Sequence, residues 1–396
     1  MTGQGTGARD EMRVIVLSTD AGIGGVERAS RSLIRALGDL LGPDQVGVLS
    51  VWASVTPPPC RVLFTGRTGG GGRVGAHLRL RFVLQAIRHA LVWRTGLIIV
   101  ACHPHLAPAA WLAHVLCRAP YAVWCHGEES WGRLRPTLRF SLRRARVVFA
   151  PSSFTAKCVE LAAGLPPTSV CVLPHCLTPE VKVLNHHRPA TASHRVLTVA
   201  RLVPEHRYKG VDILIRTWPD VLAAVPDAQL TVIGAGEDGN HLERLAKQLR
   251  LQGLVRFLGA VDDDELARQY RRATIFALPS RTRLFPKPEG EGFGLVYLEA
   301  AASGCAVVAA QGGAVPEVVV SDETGLLVDL DKPEALSQAL IRLLSDSQLA
   351  ARLGASGRHH VSTNHGYPLF RARVERLLQR ITQTSPIARE DRRKLS

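Results

Sequence analysis

Two short apolar runs, Arg13-Val-Ile-Val-Leu17 and Arg195-Val-Leu-Thr-Val-Ala200, each open a half of this chain in which strand-length segments alternate with helical periodicity. That alternation restricts the fold to parallel sheets wrapped by helices, because one parallel strand follows another only through a long crossover. Further strands are predicted at 46–51, 97–102, 121–125 and 147–150 in the first half, and at 229–234, 255–258, 275–280 and 305–310 in the second. At 396 residues the chain exceeds one ordinary core, so two α/β domains are expected. Residues 174–192 carry prolines and polar residues with little periodicity and read as a linker, the Gly-rich stretch 65–73 reads as a loop, and a final helix is expected over 368–382. Ligands of open parallel sheets bind at the carboxyl ends of the strands, so two facing sheets hold a ligand between them.

The segment Glu291-Gly-Phe-Gly-Leu-Val-Tyr-Leu-Glu299 lies between two predicted strands and places a Gly-Phe-Gly turn before a helix opening near Gly294. Such a turn offers backbone N–H groups and the positive end of a helix dipole to a phosphate. The two carboxylates suit sugar hydroxyls, and eight helical residues rise roughly 12 Å, about the span from ribose to hexose in a nucleotide sugar. Arg201 directly follows a strand, and Lys209-Gly210 follows it before the next helix, a pair of cations suited to a diphosphate leaving group. Gly24 and Gly25 open the first helix and can offer N–H groups to the same phosphates. His126 stands at a strand end beside Gly127, placed to contact a sugar hydroxyl or the reacting centre. His103, His105, His175, His186, His187, His359 and His360 lack such context and read as loop or surface residues.

The 49 Lys and Arg against 34 Asp and Glu give a formal charge of +15, which calls for an anionic partner. Arg133, Arg135, Arg139, Arg143, Arg144 and Arg146 alternate with Trp131, Leu134, Leu138 and Leu142 at helical spacing; this segment fits an anionic membrane surface and equally a solvated helix face. No recognition motif or aromatic stacking set accompanies the charge, which argues against nucleic acid. The eight cysteines are scattered, without a C-x-x-C pair, so reduced thiols and no structural zinc are expected. No signal peptide or membrane-spanning run stands out, and cytoplasmic residence is expected. Gly234-Ala-Gly236-Glu-Asp-Gly239 matches the dinucleotide-binding pattern, which keeps an NAD-dependent oxidoreductase as a distant alternative. It lies mid-chain, however, and the acidic residues after it, Asp262 to Asp264, precede a helix where N-capping accounts for them.

Taken together, these residues resemble the retaining glycosyltransferases of family 4, whose two facing Rossmann-like domains form the GT-B arrangement. The likeness runs through Gly24 to Glu27, His126-Gly127, Pro151 to Thr155, Ala200 to Leu202, Tyr208 to Asp212, Val232 to Gly236, Phe257 to Gly259, Leu278 to Ser280 and the Glu291 to Glu299 run. The last of these, with Ser280 to Arg283 before it, looks most like GDP-mannose-dependent mannosyltransferases acting on phosphatidylinositol mannosides. Branches that build antibiotics or exopolysaccharides from UDP-sugars share nearly the same donor motif. The resemblance implies an acceptor domain over 1–178, completed by 366–396, and a donor domain over 179–365. It implies a hexose moved from a GDP- or UDP-linked donor to a glycan, glycolipid or small-molecule hydroxyl, with anomeric retention and no metal. By the same carry-over Arg201 and Lys209 bind the diphosphate, Glu299 the ribose, and Glu291 with Gly292, Phe293, Gly294 and Leu295 the donor sugar and distal phosphate. Gly234, Phe257 and Leu258 belong to the donor side near the base, and His126 lies close to the transferred sugar. The chain departs from the family pattern at Leu173-Pro-His-Cys-Leu177 and in the longer spacing from Arg201 to Lys209.

Overall fold

A computed structural model describes residues 12–19, 24–52, 60–67, 75–177 and 194–383. The first sheet contains β1 (Arg13–Ser18), β2 (Val46–Trp52), β3 (Arg61–Arg67), β4 (Leu97–Ala101), β5 (Tyr121–Trp124), β6 (Val147–Ala150) and β7 (Cys171–Val172), in the order β3-β2-β1-β4-β5-β6-β7. The second contains β8 (Arg195–Val199), β9 (Gln229–Ile233), β10 (Val255–Phe257), β11 (Ile275–Leu278), β12 (Ala306–Ala310) and β13 (Gly325–Val328), in the order β10-β9-β8-β11-β12-β13. Every pairing is parallel. In each sheet the order reverses beside the founding strand, between β1 and β4 and between β8 and β11, which opens a crevice at the carboxyl ends.

Five helices cover the first sheet: α1 (Gly25–Leu41), α2 (Ala76–Val92), α3 (Ala107–Cys117), α4 (Pro136–Arg144) and α5 (Ser153–Ala163). Around the second lie α6 (Val211–Ala224), α7 (Gly239–Gln248), α8 (Asp263–Arg272), α9 (Leu295–Ala302), α10 (Ala335–Ser345) and α11 (Ser347–Asn364). Helices on both faces bury the central strands, which is why β1 and β12 read as continuous apolar runs rather than alternating ones. The chain then crosses back: Leu177 pairs with Gly366, and α12 (Tyr367–Thr382) lays Phe370, Val374 and Leu378 into the same core as Val14 of β1 and Leu33 of α1.

Two expectations change. Strand β3 runs through Thr65-Gly66-Arg67, so part of the presumed Gly-rich loop is sheet, while its remainder, 68–73, lies outside the described residues, as does 178–192 of the linker. The basic segment is not one helix, because Pro136 starts α4 late; Trp131, Leu138 and Leu142 face the core, and the arginines remain outside. Residues 262–264 behave as expected, Asp262 accepting the Glu265 N–H at 2.7 Å as the N-cap of α8. All eight cysteines are free thiols.

Because α12 closes the first core from the far end of the chain, Phe370→Ala should destabilise the protein by about 3–5 kcal/mol. Denaturant unfolding of the variant checks this, and a change under about 1 kcal/mol would mean that α12 is peripheral to that core.

Candidate functional site

The two crevices face each other across a cleft of about 730 Å³, within the usual range for a ligand site. Its walls come from strand ends: Thr19 and the Gly24-Gly25 turn after β1, His126 after β5, Arg201 after β8, Gly234 after β9 and the Glu291 segment after β11. Of the residues singled out from sequence, His126, Glu291, Arg201, Lys209, Gly24, Gly25, Gly234, Gly292, Phe293, Gly294, Leu295 and Glu299 all line this cleft. Phe257 and Leu258 do not; they pack on the second core, and Ala260, Val261 and Leu266 line the cleft there instead. The Gly234 motif sits at the end of the second strand of its sheet, where a Cβ on Gly236 would stand 2.0 Å from the Leu202 carbonyl oxygen. Its glycines therefore serve backbone packing as β9 passes the Arg201 loop.

Glycine is required at the Glu291 turn for two reasons. A Cβ on Gly292 would lie 1.9 Å from the His126 carbonyl oxygen, so the two domains touch there backbone to backbone. Gly294 has φ +98°, a left-handed conformation that turns the chain into α9. Ser152 Oγ and Thr155 Oγ1 of the first domain donate to the Gly292 carbonyl at 2.8 and 3.0 Å. At the start of α5 the N–H groups of Ser153 and Phe154 donate to the Glu317 carboxylate at 2.7 and 2.8 Å, an anion from one domain on a helix N-terminus of the other.

Glu291 is buried, and its Oε1 accepts from Lys209 Nζ at 2.6 Å and from Ser280 Oγ at 3.0 Å. The long spacing from Arg201 to Lys209 forms a 3-10 turn, Pro204–Lys209, held by Arg207, whose Nε donates to both oxygens of buried Asp238 at 3.0 Å. That turn brings Tyr208, the first residue of the motif Tyr208 to Asp212, into the cleft together with His206, which did not stand out in the sequence. Arg201 reaches across to the first domain, where its Nη2 lies 3.3 Å from where a Gly24 Cβ would be.

His126 is buried, and its Nε2 donates to the Cys102 carbonyl at 2.7 Å. The proton is thereby placed on Nε2, so Nδ1, which has no hydrogen-bond partner among the described residues, is an acceptor. Burial holds the ring down to about 4, and it is neutral at pH 7. His103 and His175, read from sequence as loop residues, also line the cleft. His175 is buried, stacks on His126 with ring centroids 5.6 Å apart and meets Phe293 edge-on at 5.0 Å. His175 was concealed because it stands in Leu173-Pro-His-Cys-Leu177, where the chain departs from the family pattern, and His103 because it lies in no motif.

Glu299 is 2% exposed and is partnered differently from Glu291. Arg28 of α1 donates to its Oε1, and the Tyr270 hydroxyl donates to its Oε2 at 3.0 Å. Burial pushes the Glu299 carboxyl up, and the Arg28 guanidinium draws it part of the way back. Arg28 was overlooked although it lies one turn into the helix that Gly24 and Gly25 open, on the face that looks at the cleft. Only residues 295–299 of the span between the carboxylates are helical, so the 12 Å rise expected for eight helical residues does not apply. Among the described residues no three His, Cys, Asp or Glu side chains gather as a metal-ligand set.

Residues 185–360 match the family model of glycosyl transferases group 1, and residues 23–181 that of Glycosyltransferase Family 4. The chain is 34% identical over 265 residues to the GDP-mannose-dependent alpha-(1-6)-phosphatidylinositol monomannoside mannosyltransferase of Mycolicibacterium smegmatis, covering 64% of this chain and 68% of that one. It is 36% identical over 268 residues, with the same coverage, to the GDP-mannose-dependent monoacylated alpha-(1-6)-phosphatidylinositol monomannoside mannosyltransferase of Corynebacterium glutamicum. Among solved structures, Anabaena Alr3699/HepE in complex with UDP and glucose superposes with TM-score 0.73 at 17% identity, over 93% of this chain and 99% of that one. Sucrose-phosphate synthase of Thermosynechococcus elongatus does so with TM-score 0.72 at 21% identity, over 93% and 99%.

The buried and half-buried histidines carry a pH signature. Burial holds His126, His206 and His365 down to about 4 and His103 to about 3, against about 6.5 in an unfolded chain. Their contribution to stability is complete above pH 6.5 and is lost as pH falls toward 4, because the unfolded chain takes up protons that the folded one refuses. Between pH 7 and pH 5 each contributes a loss of up to about 2 kcal/mol. Thermal unfolding across that window should show a steadily falling midpoint; a flat profile would contradict neutral buried rings.

Proposed function

Because the chain belongs to the glycosyltransferases of group 1 and family 4 and has their GT-B architecture, we propose that it moves a hexose, mannose in the first instance, from a nucleotide diphosphate sugar to an acceptor hydroxyl with retention of anomeric configuration. The observation that carries this reading is the Lys209 to Glu291 ion pair at the glycine turn, opposite the bare Nδ1 of His126 and beside Arg201. The nucleoside lies along the second domain between Glu299 and the Ala260 end, and the diphosphate lies at Arg201, Lys209 and the open start of α9. The hexose sits between Glu291 and His126, which accepts a sugar hydroxyl at Nδ1. As the bond from the anomeric carbon to the phosphate oxygen breaks, the two cations neutralise the charge growing on the diphosphate. The acceptor oxygen bonds to the anomeric carbon on the same face, and its proton passes to the departing phosphate oxygen. Arg201 and Lys209 supply the positive charge there, which supports transfer without a metal.

Two relatives bear the names of GDP-mannose-dependent enzymes acting on phosphatidylinositol mannosides, which supports GDP-mannose as donor and a lipid-linked glycan as acceptor. The surface of the first domain agrees with such an acceptor. Leu80 and Leu84 of α2, Val115 and Leu116 of α3 and Phe140 of α4 are exposed, at 58, 55, 53, 55 and 41%. Exposed arginines, Arg79, Arg81 and Arg88 on α2 and Arg139 and Arg143 on α4, stand on the same helices. This face, rather than the arginine segment alone, docks on the cytoplasmic side of an anionic membrane. Among the described residues no helix is long and apolar enough to cross one.

Arg201→Ala or Lys209→Ala should lower turnover at least a hundredfold, about 2.7 kcal/mol of transition-state stabilisation. Near-normal turnover in both would remove the diphosphate assignment. In a panel of GDP- and UDP-sugars, GDP-mannose should be the best donor, and preference for a UDP-sugar would place the chain with transferases of antibiotic or exopolysaccharide synthesis. Sedimentation with phosphatidylglycerol vesicles should fall severalfold in a Leu80→Ser, Leu84→Ser double variant. Equal sedimentation of that variant and the parent would locate membrane contact elsewhere.

A further inference from the structure

Glu299 takes its counter-charge from the other domain. Arg28, in the second turn of α1, donates to Glu299 Oε1 on α9 and, through its other terminal nitrogen, to Asp263 Oδ1 on α8 at 3.2 Å. The Glu299 side chain is 3% exposed, whereas Asp263 is 78% exposed, so the pair with Glu299 is the buried half of this contact. Within its own domain Glu299 receives only the Tyr270 hydroxyl among the hydrogen bonds seen at the described residues. Burying a carboxylate without a cation costs several kcal/mol, so the two domains approach in this geometry only if Arg28 arrives with the first. A carboxylate offers about four lone-pair positions, and Arg28 and Tyr270 use two, which leaves room for a vicinal diol.

We propose that Arg28 is a positioning residue that couples closure of the two domains to occupation of the ribose-binding carboxylate Glu299. The proposal rests on the nucleotide-sugar reading above. In the parted state Glu299 faces water and takes the ribose hydroxyls alone. On closure Arg28 completes its shell, and the N-terminal wall carrying His126 comes up to the hexose. Arg28 thus affects the populated closed complex rather than nucleotide affinity.

The test compares Arg28→Ala, Arg28→Lys and Glu299→Gln with the parent, using GDP and UDP as binding probes. For Arg28→Ala, the nucleotide dissociation constant should stay within about threefold, kcat should fall at least about thirtyfold, and Arg28→Lys should recover part of the loss. Small-angle scattering should show the parent compacting with nucleotide and Arg28→Ala failing to do so. In a Glu299→Gln background, where no charge is buried, Arg28→Ala should cost less than about threefold in kcat. Retained kcat in Arg28→Ala overturns the proposal. Parallel loss of nucleotide affinity would make Arg28 a direct donor ligand and overturn it too, as would an undiminished cost in the Glu299→Gln background. A parent chain that binds neither GDP nor UDP overturns the functional reading itself, whereas a parent that binds and an Arg28→Ala variant that behaves like it overturns only this proposal.

Discussion

A carboxylate withdrawn from water must be given a partner, and in this protein two such carboxylates organise the meeting of the domains. Glu291 finds Lys209 within its own domain, which fixes the glycine turn against the end of β8. Glu299 finds Arg28 only across the cleft. One pair therefore stiffens the wall formed by the second domain, and the other ties that wall to its counterpart. The contacts at Gly292 repeat the pattern with neutral groups, since Ser152 and Thr155 of one domain satisfy a carbonyl of the other.

The position of all this chemistry follows from the sheets. Parallel strands buried on both faces leave no polar surface along their length, so polar side chains gather where strands end. His126, Arg201, Gly234 and Glu291 each stand within a few residues past a strand end or, for Glu291, on the loop that follows one. Crossovers reverse beside β1 and β8, and the gap at each reversal admits a ligand. The return of α12 to the first core closes the arrangement by a second strand of chain between the domains at Leu177 and Gly366.

Much of this was legible beforehand. Apolar runs marked β1, β4, β5, β6, β8, β9, β11 and β12 because buried parallel strands must be apolar throughout. Strand β3 was missed because Arg61, Thr65, Gly66 and Arg67 on an edge strand need no such pattern. The basic stretch before β6 left two readings open because arginines at helical spacing look alike whether the apolar side meets lipid or core, and Leu138 and Leu142 meet core. The leucines that do face outward, on α2 and α3, carry no mark in the sequence that separates them from buried ones.

Short-range order was thus determined by sequence alone: where most of the buried strands lie, where glycine turns start helices, and that Arg201, Lys209, His126 and the Glu291 run belong to one kind of site. These depend on neighbours within a turn or two, where residue type decides backbone preference and side-chain charge decides chemistry. Only the tertiary structure decided that His175 stacks on His126, that Arg207 locks Asp238, and that Arg28 reaches Glu299. Those contacts join residues far apart along the chain: the first two depend on how loops meet at the strand ends of one sheet, and the third on how two sheets come to face each other, matters of packing and desolvation that no local pattern encodes.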